Sequence, residues 1–202
     1  MKRYVVIGFP NLLTDWLAIR KPELKEQVFV FTANVRGRIM ITAASKAAEA
    51  QGIFADTALA DAKAIVPEVQ VFDDQLGLAQ KLLTRIGKWA IRFTPIVAID
   101  LPNGLILDAS GCTHLWGGEK GYLQTILNRL RESGYHCRAA IADTIGAAWA
   151  IAKYGKVSPI IAPNQQYNAI LNLPPSALRL DNLIIQRLHK LGLNQIGKFI
   201  QM

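Results

Sequence analysis

Cysteine is scarce in this chain: 202 residues contain only Cys112 and Cys137. The two form no metal-ligand spacing, and a reducing compartment keeps them as thiols. No run of 18 apolar residues occurs, so no transmembrane helix is expected. The basic start Met1-Lys2-Arg3 leads into an apolar stretch, Tyr4–Gly8, too short for a signal-peptide core, and no small-residue cleavage site follows. A cytoplasmic location is therefore expected. Internal repeats and low-complexity tracts are absent. No GxxxxGK pattern surrounds Gly117-Gly118, so that pair is not a phosphate loop. Acidic side chains are also in short supply, 15 against 23 Lys and Arg, for a net charge of +8 and a pI of about 9.7. That imbalance favours a polyanionic partner such as nucleic acid. Charged residues make up 19% and hydrophobic residues 51%, which argues for a globular chain rather than a disordered one.

What is present reads as interleaved strands and helices. Tyr4–Phe9 predicts a strand ended by Pro10, and Leu12–Arg20 a short helix stopped before Pro22. Gln27–Thr32 and Ile39–Ala43 predict a hairpin across the turn Asn34–Arg38, followed by an Ala-rich helix, Ser45–Gln51, closed by Gly52. Further helices are expected at Leu59–Ile65, Asp73–Arg92, Glu119–Ser133, Thr144–Tyr154, Leu183–Leu191 and Gln195–Gln201. Strands are expected at Val69–Phe72, Ile96–Ile99, Leu105–Leu107 and Arg138–Ile141, with a short one at Pro159–Ile161. In Asp73–Arg92 the residues Leu76, Ala79, Leu82, Leu83, Ile86 and Ala90 form one apolar stripe. Leu171–Pro175 reads as a hinge before a detached helical end. The fold class is mixed, α+β, with an open sheet covered by helices.

The run Tyr4-Val5-Val6-Ile7-Gly8-Phe9-Pro10, then Gly37–Ala44, then Leu107-Asp108-Ala109-Ser110-Gly111, resembles in that order the palm and fingers of a Y-family (translesion) DNA polymerase. Gly111-Cys112-Thr113-His114-Leu115-Trp116-Gly117-Gly118-Glu119 and Ala140–Ala150 resemble its ImuB-type branch, the polymerase-like accessory proteins of damage-induced mutagenesis. The resemblance implies a palm-like domain at 1–10 and 71–163, a fingers-like insertion at 11–70, and the start of a helix-hairpin-helix thumb at 164–202, in a protein continuing beyond Met202. Partners implied are DNA, a sliding clamp, a RecA-like accessory protein and a replicative-type polymerase, with no membrane.

The family's chemistry needs carboxylates converging on two metal ions. The resemblance places them at Gly8, Asn103 and Gly104, none of which is acidic; Asp100 and Asp108 are possible relics. The fingers positions that meet the incoming triphosphate fall on Lys46 and Glu49, the bulky residue that excludes ribonucleotides on Leu13, and the palm lysine on Lys156. Asn182 and its neighbours replace the thumb's Gly-rich hairpin, while Leu188–Leu193 keeps the second half. Candidate DNA contacts are Arg36, Arg38, Arg179, Arg187, Lys190 and Lys198; Lys81, Arg85 and Lys88 share a helix face. His114 reads as a structural histidine, the four tryptophans as core anchors, and the cysteines as small buried hydrophobes. The expectation is a non-catalytic adaptor with no resident cofactor. Two alternatives stay open: a live error-prone polymerase using magnesium at Asp100 and Asp108, and a basic protein-interaction domain without a DNA role.

Overall fold

The computed structural model describes residues 2–155 and 159–201. Its contacts divide the chain into two compact units, one of Met1–Gly8, Leu83–Asn128 and Cys137–Met202, the other of Phe9–Leu82 and Arg129–His136. Among the described residues no helix is long and apolar enough to cross a membrane.

The first unit is built on a four-stranded antiparallel sheet of β1 (Tyr4–Gly8), β5 (Val97–Asp100), β6 (Gly104–Asp108) and β7 (Arg138–Ala142), in the order β5-β6-β1-β7. The apolar run of β1 takes the middle of the sheet, where both faces are covered. Val5, Val6 and Ile7 are fully buried, each contributing about 1.5–3 kcal/mol relative to exposure. As the motif order requires, β1 lies beside the β5–β6 hairpin, with Val5 opposite Leu107 and Ile7 opposite Leu105. On its other side β1 pairs with β7, and α6 (Ile145–Tyr154) packs on both strands. Thr144 caps α6 by accepting the Ala147 amide at 3.2 Å.

A buried arginine ties this unit together. The Arg3 guanidinium donates to both Glu119 oxygens at 2.6 and 2.8 Å, to Asp143 Oδ1 at 2.6 Å and to the Ile161 carbonyl at 2.8 Å. Glu119 opens α5 (Gly118–Glu132), and Asp143 follows β7 and also accepts the Asn164 amide at 2.7 Å. The chain end is not detached. Leu173, Ala177 and Ile196 share a buried cluster with Val6, Ala140 and the inner face of α6. The alternating burial of so short a segment hides its apolar positions from a periodicity reading. It holds α7 (Gln166–Ile170), a 3-10 turn at Pro175–Leu178, and α8 (Asn182–Lys190). A second 3-10 turn, Ile196–Lys198, stands where a helix was expected at Gln195–Gln201. Ile160 makes an isolated parallel bridge to Ile141 rather than a strand.

The second unit carries a three-stranded sheet in the order β3-β2-β4. Strands β2 (Phe29–Val35) and β3 (Arg38–Ala44) form the expected hairpin, and β4 (Gln70–Asp73) runs parallel to β2. Helices α1 (Leu12–Arg20), α2 (Lys46–Ala50) and α3 (Leu59–Ile65) complete it, around a core that includes Val30, Ile41, Ile53 and Val69. The long helix α4 spans Leu78–Ala90, shorter than Asp73–Arg92. Gly77 sits at φ +79°, a left-handed conformation that starts no helix, and Leu76, expected on the apolar stripe, is fully exposed. The Asp74 amide instead donates to the Thr32 carbonyl at 2.9 Å, prolonging the β4 pairing.

Candidate functional site

The register of the four-stranded sheet lines up one residue from each strand: Asp100 opposite Gly104, Gly104 opposite Gly8, and Gly8 opposite Arg138. Neighbouring strands stand about 4.8 Å apart, so Asp100 and Gly8 are roughly 10 Å from each other. Gly8 and Gly104, two of the positions where the resemblance puts metal-binding carboxylates, are thus direct neighbours, and neither has a side chain. They differ in the space around them. A Cβ on Gly8 would meet nothing within 4 Å, whereas one on Gly104 would stand 3.1 Å from Asp100 Oδ2 and 3.2 Å from the Asp100 carbonyl.

Basic and aromatic groups gather at this row. Asp100 Oδ2 accepts a hydrogen bond from Arg179 Nη2 at 3.0 Å. The Arg179 guanidinium lies over the Trp149 ring, 4.2 Å from its centroid, and Lys153 Nζ lies 5.0 Å from the same centroid. Lys153 Nζ also donates to Asn103 Oδ1 at 2.9 Å. Burial pushes the Lys153 ammonium below its ordinary value; the Asp100 charge pulls it up and Arg179 pushes it further down. Arg138 donates to the carbonyls of Lys153 and Gly155. Two cations, Arg179 and Lys153, therefore act on the Asp100 carboxylate, while Arg138 stands at the opposite end of the row.

Asp108 takes no part in this cluster. It lies opposite Tyr4, at the far end of β6 from Gly104, about 13 Å away along the strand. The Ser110 hydroxyl first, then the Ser110 amide donating to Oδ1 at 3.0 Å, and last the charge of Lys2 hold the carboxyl below its ordinary value. A turn acceptor is its structural role. Asp100 and Asp108, the two possible relics, are not brought together. Among the described residues no group of three or more His, Cys, Asp or Glu is placed to hold a metal ion.

The second unit holds the fingers positions. Leu13 is buried in α1 and Lys46 is exposed at the start of α2. Glu49 Oε1 accepts a hydrogen bond from Asn11 Nδ2 at 2.9 Å, and that amide also donates to the Ala44 carbonyl at 3.2 Å. Glu49 is thus tied to the backbone frame of its own unit. Lys156 lies outside the described residues.

The proposed DNA contacts divide. Arg36 and Arg38 are exposed at the β2–β3 turn, and Arg187, Lys190 and Lys198 are exposed on α8 and the last 3-10 turn. The end of α8 is fixed: Gly192 takes φ +74°, the Leu193 amide donates to the Leu188 carbonyl at 2.9 Å, and His189 Nδ1 lies 2.7 Å from Asn194 Oδ1. Arg179 differs, since it is already engaged by Asp100 and Trp149. Trp149 is buried, whereas Trp16, Trp89 and Trp116 are only partly so. Cys137 is buried, Cys112 is partly exposed, and His114 is exposed on the 3-10 turn Thr113–Trp116. Sequence reasoning missed Lys153, which helix packing brings to Asp100, and Arg138, which strand register puts at the other end of the same row; no local motif marks either.

Residues 9–153 match the sequence model of the impB/mucB/samB family. Protein ImuB of Caulobacter vibrioides is 42% identical over 151 residues, which is 75% of this chain and 33% of that protein. The chain thus spans about a third of the length of the curated relatives it matches. Among solved structures, DinB from Sulfolobus solfataricus superposes with a TM-score of 0.78 at 14% identity, over 99% of this chain and 60% of that one. An insertion ternary complex of Dbh DNA polymerase gives 0.79 at 16% identity, again over 99% and 60%. At such identities these likenesses show the fold: a Y-family polymerase fold, α+β as expected.

Proposed function

This chain belongs to the impB/mucB/samB family, and from that premise we propose that it is a polymerase-fold adaptor of DNA-damage tolerance, one that holds DNA without extending it. The carrying observation is the row across the sheet, where Gly8 faces Gly104 and the one nearby carboxylate, Asp100, is hydrogen-bonded to Arg179. Two-metal phosphoryl transfer needs several oxygen ligands converging within a few ångströms, to activate the attacking hydroxyl and to neutralise the leaving phosphate. Here two of the positions are glycine, the third, Asn103, accepts from Lys153, and the surrounding charge is positive. A divalent cation entering this row would meet Arg138, Lys153 and Arg179 rather than a carboxylate cage. The alternative pairing of Asp100 with Asp108 is opposed by their separation along β6.

On this reading the first unit supplies the palm-like sheet and thumb start, and the hairpin unit the fingers. Arg36, Arg38, Arg187, Lys190 and Lys198 meet DNA phosphates without reading sequence. A cytoplasmic location follows from the DNA partner. A sliding clamp, a RecA-like accessory protein and a replicative-type polymerase belong to the same proposal, as partners that supply the synthesis this chain does not perform. Two measurements test it. Templated primer extension with magnesium or manganese is expected to stay at the level of a no-enzyme control, and extension above that level overturns the non-catalytic reading. Fluorescence anisotropy with primer-template DNA is expected to show weak binding that tightens as salt falls; no binding at low salt overturns the DNA role and favours the protein-interaction alternative.

A further inference from the structure

The motif Gly111–Glu119 has no part in the proposed DNA role. Its ends are structural: Gly111, Gly117 and Gly118 take φ of +72°, +76° and +83°, and Glu119 holds Arg3. A Cβ at Gly121, one turn into α5, would run into the Trp116 carbonyl. The 3-10 turn Thr113–Trp116 is therefore pressed against that helix and held in one place. What it presents is apolar. Leu115 is 72% exposed and Trp116 partly exposed. The Trp116 ring lies 4.7 Å from that of buried Phe93, and the partly exposed Trp89 ring lies 5.2 Å from the same Phe93. Two tryptophans thus flank one buried ring.

Beside them runs a cationic face. From Gln75 to Ile99 the chain has no Asp or Glu. In the part of α4 that belongs to the sheet-bearing unit, Arg85 and Lys88 are exposed, three residues apart on one face, and exposed Arg92 follows just past the helix end. Arg92 is already in position: its Nε donates to the Trp89 carbonyl at 2.9 Å, and its guanidinium lies 5.2 Å from the Trp89 ring centroid. Among the described residues no ion pair neutralises any of the three. The carboxylates that flank the turn in sequence, Asp108 and Glu119, are engaged by Ser110 and Arg3.

This face lies behind the sheet from the DNA contacts of the same unit. Gly87 of α4 packs towards Val97 and Leu105, whose side chains a Cβ there would meet at 3.6 Å. In contrast, α6 and the chain end cover Val6, with Ile106 against the same cluster. Successive residues of a strand face opposite ways, so Leu105 and Ile106 put α4 and the chain end on opposite faces. A duplex held by Arg187, Lys190 and Lys198 is separated from α4 by the sheet. Nucleic acid also fits the surface poorly. Bases stack on open aromatic faces, but Arg92 covers Trp89, Phe93 stands against both tryptophans, and the most exposed group is aliphatic Leu115. Fixed Trp and Arg side chains around an aliphatic group are what protein contacts use. A second copy of this chain would bring the same cations to the same face, with +8 on each partner.

We propose that the face formed by the Thr113–Trp116 turn, Trp89 and the cations Arg85, Lys88 and Arg92 is a docking surface for an acidic segment of a partner protein, one that carries a large apolar side chain. The apolar side chain packs on Leu115 and Trp116. The carboxylates meet Lys88 and Arg92, whose guanidinium is ordered before the partner arrives. Nothing in this proposal requires the DNA reading.

The test offers a display library of short random peptides to the 202-residue chain and follows an enriched peptide by amide and indole chemical shifts. Expected are sequences rich in Asp or Glu with Leu, Phe or Trp, which shift the Trp89 and Trp116 indole N–H signals saturably. Leu115→Ser is expected to weaken binding about tenfold or more, the scale of burying one leucine. Arg85→Gln with Lys88→Gln is expected to weaken it about twofold to thirtyfold, more at low salt than at high. The three altered side chains are exposed, and unchanged spectral dispersion reports that the variants are folded. A selection that enriches nothing overturns the proposal, as do peptides that leave both indole signals still or bind the variants as tightly as the wild type. Indole shifts given by a single-stranded oligonucleotide and not by acidic peptides overturn it in favour of a nucleic-acid face. Sedimentation as a dimer that Leu115→Ser converts to a monomer overturns it in favour of a second copy. Primer-template binding is expected to be unchanged in Leu115→Ser, so loss of the peptide and loss of DNA are separate results.

Discussion

Replacing Arg3 with methionine is expected to be the most damaging single change to the sheet-bearing unit. The Arg3 side chain is 6% exposed, and its partners Glu119 and Asp143 are 28% and 14% exposed. Methionine fills much of the same volume, so the change is largely electrostatic. It strips one carboxylate of two hydrogen bonds, leaves a second short of its cation, and leaves the Ile161 carbonyl without this donor. Breaking a buried ion pair by removing one partner costs about 3–5 kcal/mol. Partial exposure of Glu119 lets water recover some of that, so a loss of about 2–4 kcal/mol is expected. For a chain of this length each kcal/mol lowers Tm by about 2–4 °C, giving a drop of about 4–16 °C. Calorimetry or thermal circular dichroism at neutral pH measures it. The triple variant Arg3→Met, Glu119→Gln, Asp143→Asn provides the control. With no charge left unpaired, it is expected to regain part of the loss. A single variant within about 0.5 kcal/mol of the wild type, or a triple variant worse than the single, would refute this account of how Arg3 stabilises the fold.

Other consequences can be checked directly. Asp143 is held below its ordinary value first by the Asn164 amide and then by Arg3. Its stabilising effect is therefore complete above the unfolded carboxylate value, about 3.9, and lost as pH falls through the lower folded value. Asp143→Asn is expected to flatten the acid side of the stability curve, measured by urea unfolding from pH 6 down to 2. Gly8→Asp meets open space, so it is expected to leave Tm nearly unchanged and still to give no primer extension; strong extension would overturn the view that several ligands are missing. Arg187→Ala with Lys190→Ala is expected to reduce the magnitude of the salt slope of DNA binding by about 2, from a starting value of about −4 to −5 for the five proposed contacts, equally on unrelated sequences. Arg179→Ala uncovers the buried Trp149 ring, and tryptophan emission is expected to shift to longer wavelength.

Much of the fold was legible because its signals are local. The apolar run at Tyr4–Gly8, the turn between Thr32 and Ile39, the Ala-rich stretch closed by Gly52, and the motif around Gly111–Glu119 each carry their signal within a few residues. The absence of an acidic side chain at Gly8 and at Gly104 is local too, and the register sets those two residues side by side. What escaped was non-local. Asp100 and Arg179 are 79 residues apart in sequence and meet only because the chain end packs on α6. Arg138 takes the far end of that row through strand pairing, Arg3 reaches Glu119 and Asp143 across the unit, and none of these has a spacing to read. The overlong helix at Asp73–Arg92 has a different cause: Leu76 kept helical phase with the stripe, but the left-handed turn at Gly77 overrides phase.

The unequal space around the two facing glycines bears on how such a chain changes over time. At Gly8 a carboxylate could return in one substitution without disturbing a neighbour. At Gly104 a side chain would press on Asp100, which would have to give by a few tenths of an ångström while fastened to Arg179, itself laid on Trp149. On the reading proposed above, a lineage moving toward metal chemistry would meet no resistance at the first position and would have to shift that ion pair to seat a ligand at the second. On that reading the row is unequal in reversibility: one position stands open, and the other is crowded by a side chain already in use.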